Sequence, residues 1–504
     1  MSAEVELKFR VPPARLPALR RAVATRAAQV LPLAAVYFDT PGELLAQARL
    51  ALRLRREGDR WVQTLKAEGA SAMQRLEHNA ELPVGGAARR RPTLELSRHD
   101  GSAAGQVLRE VLTAARDEPL LERYATEVQR TRRVLQAGDA RIELALDEGQ
   151  IRAGRHRLPI CEVEFELLQG TPQALLAVAA QWAERFGLVL DVRSKSERGH
   201  ALAAGRLASP PAKARPLRLG AGDRPAEARA AMLAHALGQA LANASQIADG
   251  PSEPEHLHQL RVGLRRMRSL LRVYGGLSSP LEPTLAPELA ALFDQLGAAR
   301  DLDAMAEWLW PLLRAADAPW LPGPDEVARL AEVAGGAAPV DVTALLRSPA
   351  TQRLWLSALA ACQSAPDEPA VAAPPLRELL SGPLQQLMRQ VRKDAGRFAT
   401  LEDERRHRLR RRIKRLRYAA EAAAPLWPAK PVARTLRALA AAQEPLGAYN
   451  DTVVAIEHFR RLAERDGRAW FVVGWLSARR DALTAPCAGA LARLARQRGF
   501  WQAR

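Results

Sequence analysis

Cysteine is scarce in this chain, and its scarcity excludes two ways of holding a fold together. Three cysteines occur among 504 residues, scattered at Cys161, Cys362 and Cys487. No two of them stand at the paired spacing of a disulfide framework or of a zinc site. Thiol chemistry is therefore not expected to organise the fold.

Aromatic residues and long apolar runs are also scarce. Aromatic side chains make up 5% of the residues, which disfavours a protein that stacks single-stranded nucleic acid on rings. No apolar run reaches the roughly 20 residues that a membrane-spanning helix needs. A charged strand is predicted from residue 3, which leaves no room for a signal peptide. No GxxxxGK[ST] motif occurs, which excludes a P-loop enzyme. We therefore expect a cytoplasmic protein with no membrane partner.

Positive charge, by contrast, is abundant. The chain has 74 lysines and arginines against 56 aspartates and glutamates, and its formal net charge is +18. Such an excess indicates a polyanionic partner, which is nucleic acid, an anionic membrane or a phosphate-rich substrate. Apolar residues make up 48% of the chain, which is ample for globular folding.

The pattern of the sequence changes twice along the chain. Short alternating segments dominate residues 1–203 and predict antiparallel strands. Residues 204–225 are rich in Pro, Gly, Ala and Arg, and are predicted to form a linker. Helical periodicity prevails over residues 226–504. At this length two or three domains are the natural expectation, and we predict a β domain followed by an all-α domain.

Several predicted strands of the first region carry one charged face. In "EVELK", Glu4, Glu6 and Lys8 share one face and the apolar residues take the other. "LALRLRR", "RLE", "RIELALDEG" and "CEVEFE" show the same alternation. For a single strand, a face in contact with water is the ordinary explanation. Here carboxylates cluster on some strands and arginines or lysines on others. This segregation favours a closed sheet whose charged faces line a tunnel for a cation and a triphosphate.

These segments resemble the CYTH family of triphosphate tunnel metalloenzymes. The resemblance covers about residues 1–203 and rests on "EVELK", "YFDT", "LRLR", "TLK", "IELALDEG", "CEVEFEL" and "SKSERGHAL", which occur in the family's order. It implies an eight-stranded antiparallel barrel with helices. It also implies a metal-dependent hydrolase of triphosphates that uses Mg²⁺ or Mn²⁺.

The resemblance assigns roles to individual residues. Those matching the family's metal ligands are Glu4, Glu6, Glu77, Glu143, Asp147, Glu162 and Glu164. Those matching its phosphate-binding residues are Lys8, Arg53, Arg55, Lys66, Arg75, Arg130 and Lys195. The catalytic set is Glu4, Glu6, Lys8 and Glu164. The chain departs from the family pattern near Arg130, so the register of that strand stays open. A structural ion pair is the alternative role for Arg75 and Glu143. His156 and His200 are expected at the surface.

The helical region contains an internal repeat with a basic stripe. "HQLRVGLRRMRSLL" (258–271) aligns without a gap with "HRLRRRIKRLRYAA" (407–420), and "LGAARDLDAMA" (296–306) aligns with "LGAYNDTVVAI" (446–456). The two copies are predicted to span about 226–350 and 375–504. At about 100° per residue, four basic side chains in each copy share one helix face. They are His258, Arg261, Arg265 and Arg268, and His407, Arg410, Lys414 and Arg417.

Two such stripes favour an anion-binding surface over a solvated helix face, because neighbouring like charges repel one another. The region resembles the CHAD domain, a helical module of two related bundles. This resemblance covers about residues 226–504 and implies binding of inorganic polyphosphate. Asp301, Asp303 and Asp451 are expected to cap helices or to orient the arginines, and capping is the preferred role.

Three hypotheses on function follow. The leading one is an inorganic triphosphatase that makes diphosphate and phosphate, joined to a polyphosphate-binding helical domain and associated with polyphosphate granules. A second is another enzyme of the same barrel family, which is a nucleoside or thiamine triphosphatase or an adenylate cyclase. The third is a polyphosphate receptor or granule-associated protein without strong catalysis. Nucleic acid is the least favoured partner.

Overall fold

The computed structural model describes residues 4–69, 71–82, 91–114, 118–298, 301–321, 323, 340–363 and 374–502. The chain forms two compact units. The first, here called the tunnel unit, comprises residues 1–214, 234–263 and 343–363. The second, here called the helical unit, comprises residues 215–233, 264–342 and 364–504.

The tunnel unit is built on a closed antiparallel barrel of eight strands. Its strands are β1 (Glu4–Arg10), β2 (Gln29–Asp39), β3 (Ala51–Glu57), β4 (Arg60–Glu68), β5 (Gln74–Glu81), β6 (Leu121–Ala137), β7 (Ala140–Ala153) and β8 (His156–Gln169). They follow the order β5-β4-β3-β2-β6-β7-β8-β1, and β1 returns to pair with β5. A short strand, β9 (Val189–Leu190), also pairs with β1. The predicted barrel is confirmed.

The apolar face of the strands points away from the barrel axis. Leu7 and Phe9 of β1 are buried, and the Phe9 ring meets Phe165 of β8 edge to face at 5.8 Å. Phe165 in turn contacts Trp182 of a covering helix, with ring centroids 6.0 Å apart. The core of this unit therefore lies between the barrel and its helices. The charged face that alternates with it is left to line the interior.

Among the residues of the first half of the chain that the structure describes, five helices accompany the barrel. They are α1 (Leu16–Val23), α2 (Leu44–Gln47), α3 (Ala103–Ala114), α4 (Pro172–Phe186) and α5 (Lys195–Ala203). The ends of α4 follow from local chemistry: the Thr171 side chain accepts a hydrogen bond from the amide of Ala174, and Gly187 ends the helix in the left-handed conformation. α5 begins in the same way, because Ser194 caps the amide of Glu197.

The remaining helices come from the second half of the chain. They are α6 (Pro225–Asp249), α7 (Pro254–Tyr274), α8 (Leu285–Ala298), α9 (Asp301–Ala315), α10 (Val342–Arg347), α11 (Pro349–Ala361), α12 (Leu376–Ala395), α13 (Asp403–Ala423), α14 (Ala429–Ala463) and α15 (Ala469–Arg496). Short 3₁₀ turns are at Pro13–Arg15, Leu96–His99, Gly275–Leu277, Phe398–Thr400, Ala424–Leu426 and Phe500–Gln502. The predicted all-α character of this region is confirmed.

The two copies of the basic segment both form helices. The first lies on α7 and the second on α13, and the apolar residues behind the second stripe, Leu409, Ile413 and Leu416, are fully buried. Within the helical unit, the Tyr274 hydroxyl at the end of α7 donates to the carbonyl of Ala419 on α13 at 3.2 Å. The repeat therefore brings related helices together, as expected of duplicated units.

The compact units do not follow the change in sequence pattern near residue 203. Most of α6, the first turns of α7, and α10 and α11 belong to the tunnel unit. The domain bounds 1–203, 204–225 and 226–504 therefore stay a prediction. Among the described helices, none is both long and apolar enough to cross a membrane.

Candidate active site and basic stripe

Three carboxylates converge inside the barrel and form what we call the inner carboxylate cluster. Asp147 on β7 and Glu162 and Glu164 on β8 have ligand oxygens that all lie within 4.8 Å of one another. The register explains the meeting, since Asp147 pairs directly with Glu162 across the two strands. The side chains of Asp147 and Glu162 are each only 1% exposed. Three buried negative charges this close require cations.

Three protein cations neutralise the inner carboxylate cluster. The ammonium nitrogen of Lys195, at the start of α5, lies 2.7 Å from Asp147, 2.5 Å from Glu162 and 2.7 Å from Glu164. Arg130 donates two hydrogen bonds to Asp147, both at 2.7 Å, and also contacts Glu164. Arg198 contacts Glu162. Burial raises the pKa of Glu162, but the charges of Arg198 and Lys195 outweigh it and lower that pKa to about 2.

The contact between Arg130 and Asp147 also fixes the register that the sequence left open. Arg130 pairs with Asp147 across β6 and β7, and its guanidinium points into the barrel. It reaches Glu164 on β8, which is not a neighbour of β6 in the sheet. The Arg130 side chain is 18% exposed and the two carboxylates that it contacts are 1% and 17% exposed, so this face of the strands is turned to the barrel interior. The charged faces therefore line the barrel.

A second carboxylate group surrounds Lys66 on β4. The ammonium lies 2.9 Å from Glu4 and 2.5 Å from Glu77, and Glu4 and Glu77 share a hydrogen bond. Burial, only partly offset by Lys66, raises the pKa of Glu4 to about 9. Burial also acts on Glu77, but Lys66 and the hydrogen bond from Glu4 hold its pKa well below the usual range. One proton is thus shared between two carboxyl groups.

Glu6, Arg75 and Glu143 lie in ion pairs along the same face. Arg75 is 3.7 Å from Glu6, and Glu143 is 3.2 Å from Arg132 on β6. The register places Glu166 opposite both Glu6 on β1 and Glu143 on β7. Burial, followed by the charge of Glu143, raises the pKa of Glu166. The seven carboxylates predicted as metal ligands are therefore divided between the inner cluster and this second group.

Two arginines on β3 are less well neutralised. Arg53 donates to the Tyr37 hydroxyl at 3.1 Å and, among the described residues, has no ion pair. Arg55 contacts Glu57, yet burial and the charge of Arg53 lower its pKa to about 10. Arg53 and Arg55 lie side by side on one strand face with a single carboxylate in an ion pair in the part of the chain that the structure describes, Glu57, and positive charge packed in this way attracts an anion. These two side chains suit phosphate oxygens.

Lys8 is held by a backbone carbonyl as well as by charge. Its register partner is Glu164, and its ammonium donates to the carbonyl oxygen of Arg193. Burial lowers its pKa, and the charge of Glu162 opposes that effect. Lys8 therefore lies closer to the inner carboxylate cluster than to the second group.

The inner carboxylate cluster suits a hard divalent cation. Its donors are carboxylate oxygens alone, which Mg²⁺ and Mn²⁺ prefer over soft ligands. It is also strongly negative before its cations are counted. Asp147, Glu162 and Glu164 would hold the ion, among groups that Lys195 neutralises in this structure.

The sequence reasoning missed Arg198 and Glu166 as members of the site. Arg198 follows Lys195 by three residues on α5, a spacing that puts both on one helix face. Glu166 continues the period of two set by Glu162 and Glu164. The spacing of three on α5 and the period of two on β8 could both have been read from the sequence. The expectation for His200 was wrong: its side chain is buried and its Nε2 lies 3.6 Å from Asp39, because α5 packs it against Tyr124. His156 is exposed, as expected.

In the helical unit, the second basic stripe is poor in carboxylates. Arg410 lies 3.5 Å from Asp451, whereas Lys414 has no ion pair among the described residues. Burial, together with the charges of Arg410 and Arg265, lowers the pKa of Lys414 to about 7. Arg417 is held by Glu421 at 2.7 Å and by Gln443 at 2.9 Å. His407 contacts Asn450.

The first stripe is divided between the two units along α7. Arg265 and Arg268 belong to the helical unit, and both lie over the Phe293 ring, at 5.2 and 5.0 Å from its centroid. His258 and Arg261 are half-buried on the turns that belong to the tunnel unit. Arg265 is close enough to Arg410 and Lys414 to lower the pKa of both. Arg265 therefore adds positive charge close to the second stripe.

The preferred role for Asp451 was wrong. It lies in the interior of α14, far from an N-terminus that it could cap, and its carboxylate faces Arg410 instead. It therefore orients an arginine, which was the other role considered. The side chains of Asp301 and Asp303 lie outside the described residues.

Comparisons with known proteins identify two domain families along the chain. The CYTH domain family matches residues 2–199, and the CHAD domain family matches residues 231–460. An inorganic triphosphatase from Haemophilus influenzae is 29% identical over 208 residues, which are 40% of this chain and 55% of that protein. The match thus spans about half the length of that relative.

Two solved structures also resemble parts of the chain. The CHAD domain from the plant Ricinus communis is 29% identical, with a TM-score of 0.45, and the match covers 57% of this chain and 98% of the domain. A proposed adenylyl cyclase from Hippeastrum, described as revealing a dominant triphosphatase activity, is 20% identical with a TM-score of 0.29. That match covers 40% of this chain and 97% of the Hippeastrum protein. By its matches to the two family models, the chain carries a CYTH domain over residues 2–199 and a CHAD domain over residues 231–460.

Proposed function

We propose that the tunnel unit hydrolyses inorganic triphosphate to diphosphate and phosphate with a divalent cation. The observation that carries this proposal is the division of charge inside the closed barrel. Carboxylates gather around Lys195 and Lys66, and Arg53 and Arg55 on β3 are left with little compensation. A linear triphosphate needs both environments at once. The similarity to an inorganic triphosphatase supports the same substrate class.

The chemistry needs mostly positioning and neutralisation of charge. Phosphoryl transfer to water proceeds when the phosphate oxygens are neutralised and the attacking water is aligned with the leaving group. Arg53, Arg55 and Arg75 would bind phosphate oxygens through charge-assisted hydrogen bonds. A divalent cation held by Asp147, Glu162 and Glu164 would neutralise further oxygens and lower the pKa of a bound water.

Lys195 and Arg130 have a different role from Arg53 and Arg55 on β3. They are already paired with carboxylates, so they hold the inner cluster together in the free protein. Lys8 and Lys66 could either bind phosphate oxygens or hold the carboxylates together, since each faces a carboxylate as well as the interior. Glu4, Glu6 and Glu77 would provide the second set of oxygen ligands along the tunnel.

We propose for the helical region that its basic stripes bind inorganic polyphosphate. Lys414, Arg410 and Arg265 lie close together with Asp451 as the carboxylate that opposes them. An anion with closely spaced charges would relieve the repulsion among these cations. Both halves of the chain would then act on linear phosphate chains.

Phosphate release across a panel of substrates tests the enzyme. Tripolyphosphate, long-chain polyphosphate, ATP and thiamine triphosphate would each be incubated with Mg²⁺, with Mn²⁺ and with EDTA. With Mg²⁺ or Mn²⁺ we expect the highest kcat/KM for tripolyphosphate. In EDTA we expect no phosphate release from any substrate. Preference for ATP with release of diphosphate and cyclic AMP would replace the proposal with the cyclase hypothesis. No turnover of any substrate would favour a binding protein.

A further inference from the structure

The segment Val189–Arg193, which follows α4, touches the tunnel on its inner side. The amide of Asp191 donates to the carbonyl of Lys8 at 2.9 Å, and the Lys8 ammonium donates to the carbonyl of Arg193. Arg75 donates to the carbonyl of Val192 at 3.2 Å. Backbone oxygens of this segment therefore hold two side chains, Lys8 and Arg75, that match phosphate-binding residues of the CYTH family.

Side chains of α6 and α11 hold the outer side of the same segment. The amide of Leu190 donates to Gln352 on α11 at 2.8 Å, and the amide of Val192 donates to the Ser245 hydroxyl on α6 at 3.2 Å. The guanidinium of Arg193 donates to Gln246 at 2.8 Å and to Asp249 at 2.9 Å. It also makes two hydrogen bonds to Asp191, at 3.0 and 2.8 Å.

Arg193 cannot keep this position without its partners. Its side chain is 3% exposed, so water cannot replace a lost acceptor. A buried guanidinium whose hydrogen bonds are removed is strongly unfavourable, and the side chain and its backbone move to find others. Asp249 in addition contacts Arg10, which lies two residues beyond Lys8 on β1. Asp249 thus links α6 directly to the strand that carries Lys8.

These partners come from a part of the sequence that the domain pattern assigns elsewhere. Ser245, Gln246, Asp249 and Gln352 lie within residues 231–460, which match the CHAD domain family. In the structure, all four belong to the tunnel unit. The tunnel is therefore supported by helices that its own family match does not include.

We propose that Gln246 and Asp249 of α6 are positioning residues for the tunnel, which fix Arg193 and through it the carbonyl oxygens that orient Lys8 and Arg75. This inference rests on the proposed function, because it explains how Lys8 and Arg75 are positioned to bind phosphate. Neither α6 residue touches the substrate. Their effect is on binding, since Lys8 and Arg75 would be displaced from the phosphate oxygens.

Steady-state hydrolysis of tripolyphosphate by the full chain tests the proposal. Gln246→Ala and Asp249→Asn are each expected to raise KM about tenfold and to leave kcat within about twofold. Asp249→Glu, which keeps the charge, should restore most of the affinity. Glu184→Gln is the matched control: Glu184 pairs with Arg353 of α11 at 3.8 Å on the surface and does not touch the 189–193 segment. An unchanged KM in both α6 variants would overturn the proposal.

A double-mutant cycle separates positioning from general weakening of the fold. In a chain that already carries Lys8→Ala and Arg75→Ala, adding Asp249→Asn should change KM less than twofold, since its targets are gone. A full tenfold loss in that background would show that Asp249 acts by another route. Ser245→Ala removes only the acceptor of the Val192 amide and is therefore a milder variant. It is used if the other variants fail to fold, and we expect it to raise KM about threefold.

Binding without turnover distinguishes this proposal from the proposed function. Isothermal titration of tripolyphosphate in EDTA measures binding without turnover, and every chain compared carries Arg410→Gln and Lys414→Gln to weaken binding at the second basic stripe. A parent chain that binds tripolyphosphate but does not hydrolyse it when Mg²⁺ or Mn²⁺ is supplied would refute the enzyme and still allow the α6 variants to be compared. Equal affinity in the parent, Gln246→Ala and Asp249→Asn would refute the positioning role.

Discussion

Lys195 of the tunnel and Lys414 of the helical unit show two opposite ways of burying a positive charge. Burial disfavours the ammonium in both. Around Lys195 the charges of Asp147, Glu162 and Glu164 more than compensate, and its pKa is raised well above the usual range. Around Lys414 the nearest charges are mainly those of Arg410 and Arg265, and its pKa falls to about 7.

The difference indicates what each region needs in order to work. The inner carboxylate cluster is complete without a ligand, because protein cations already neutralise it. Under the proposed function, a cation and a substrate would have to compete with or rearrange these ion pairs. The stripe around Lys414 is electrostatically incomplete, and an anion that bound there would stabilise it. Four predictions test this contrast.

The largest effect is expected from removing the carboxylates that face Lys195. Glu162→Gln combined with Glu164→Gln should lower Mg²⁺-dependent phosphate release at least about 1,000-fold, which corresponds to about 4 kcal/mol of transition-state stabilisation. Phosphate release from tripolyphosphate measures it, with Glu184→Gln as the control. A loss smaller than tenfold would remove both residues from the site. Glu4→Gln with Glu6→Gln then shows whether the second carboxylate group contributes as strongly.

Arg53 tests whether a cation without a carboxylate partner is available to the substrate. Arg53→Ala should raise KM about 10- to 150-fold, because one charge-assisted hydrogen bond contributes about 1.5–3 kcal/mol. Arg56→Ala provides a matched control, since Arg56 is exposed on the opposite face of β3. Kinetics and thermal unfolding would be measured together. A fall in the unfolding temperature with an unchanged KM would make Arg53 structural.

The helical stripe should respond through affinity rather than through turnover. Arg410→Gln with Lys414→Gln is expected to weaken binding of long-chain polyphosphate about tenfold and to reduce the slope of log affinity against log salt by about one to two units. Arg405→Gln with Arg408→Gln removes the same charge from exposed positions of α13. Equal losses in both variants, or equal affinity per phosphate for duplex DNA, would leave only a general polyanion surface.

Much of this contrast could be predicted from the sequence, and the reason is periodicity. A period of two placed Glu4, Glu6 and Lys8 on one strand face, and a period near 3.6 placed Arg410, Lys414 and Arg417 on one helix face. Residues that share a face by such a local period also share that face in the folded protein. The repeat between α7 and α13 was visible for the same reason.

Partners that are distant in the chain could not be predicted in this way. The register between neighbouring strands and the closure of the barrel decide how the seven carboxylates divide between the inner cluster and the second group. For example, the register of β1 against β8 places Lys8 rather than Glu6 opposite Glu164. The support of the 189–193 segment by Gln246 and Gln352 depends on contacts between residues far apart in sequence. No local spacing records such a contact.

The smallest effect is expected from the pH dependence of polyphosphate binding. The groups facing Lys414 are Arg410 and Arg417 of its own helix, Arg265 of α7 and Asp451 of α14. In the free protein Lys414 loses its proton near pH 7, and a bound polyanion would favour the charged form. Binding should therefore take up a proton above pH 7, and affinity should fall by several-fold between pH 7 and pH 8.5. Burial lowers the pKa of His407 below its ordinary value in the free protein, so His407→Gln is made as a control for proton uptake by this neighbouring group.

Stability should change with pH in the opposite direction, which makes the assignment to Lys414 testable. Between pH 7 and the ordinary lysine pKa of 10.5, the unfolded chain binds the proton that the folded chain has lost. The free energy of unfolding therefore rises with pH over this interval, while polyphosphate binding weakens. Lys414→Arg keeps its charge throughout and should remove both slopes. Calorimetric titration and thermal unfolding at pH 6.5, 7.5 and 8.5 measure them. If the Lys414→Arg variant kept the wild-type slope in binding, Lys414 would not be the group that titrates, and the contrast with Lys195 would lose its functional meaning.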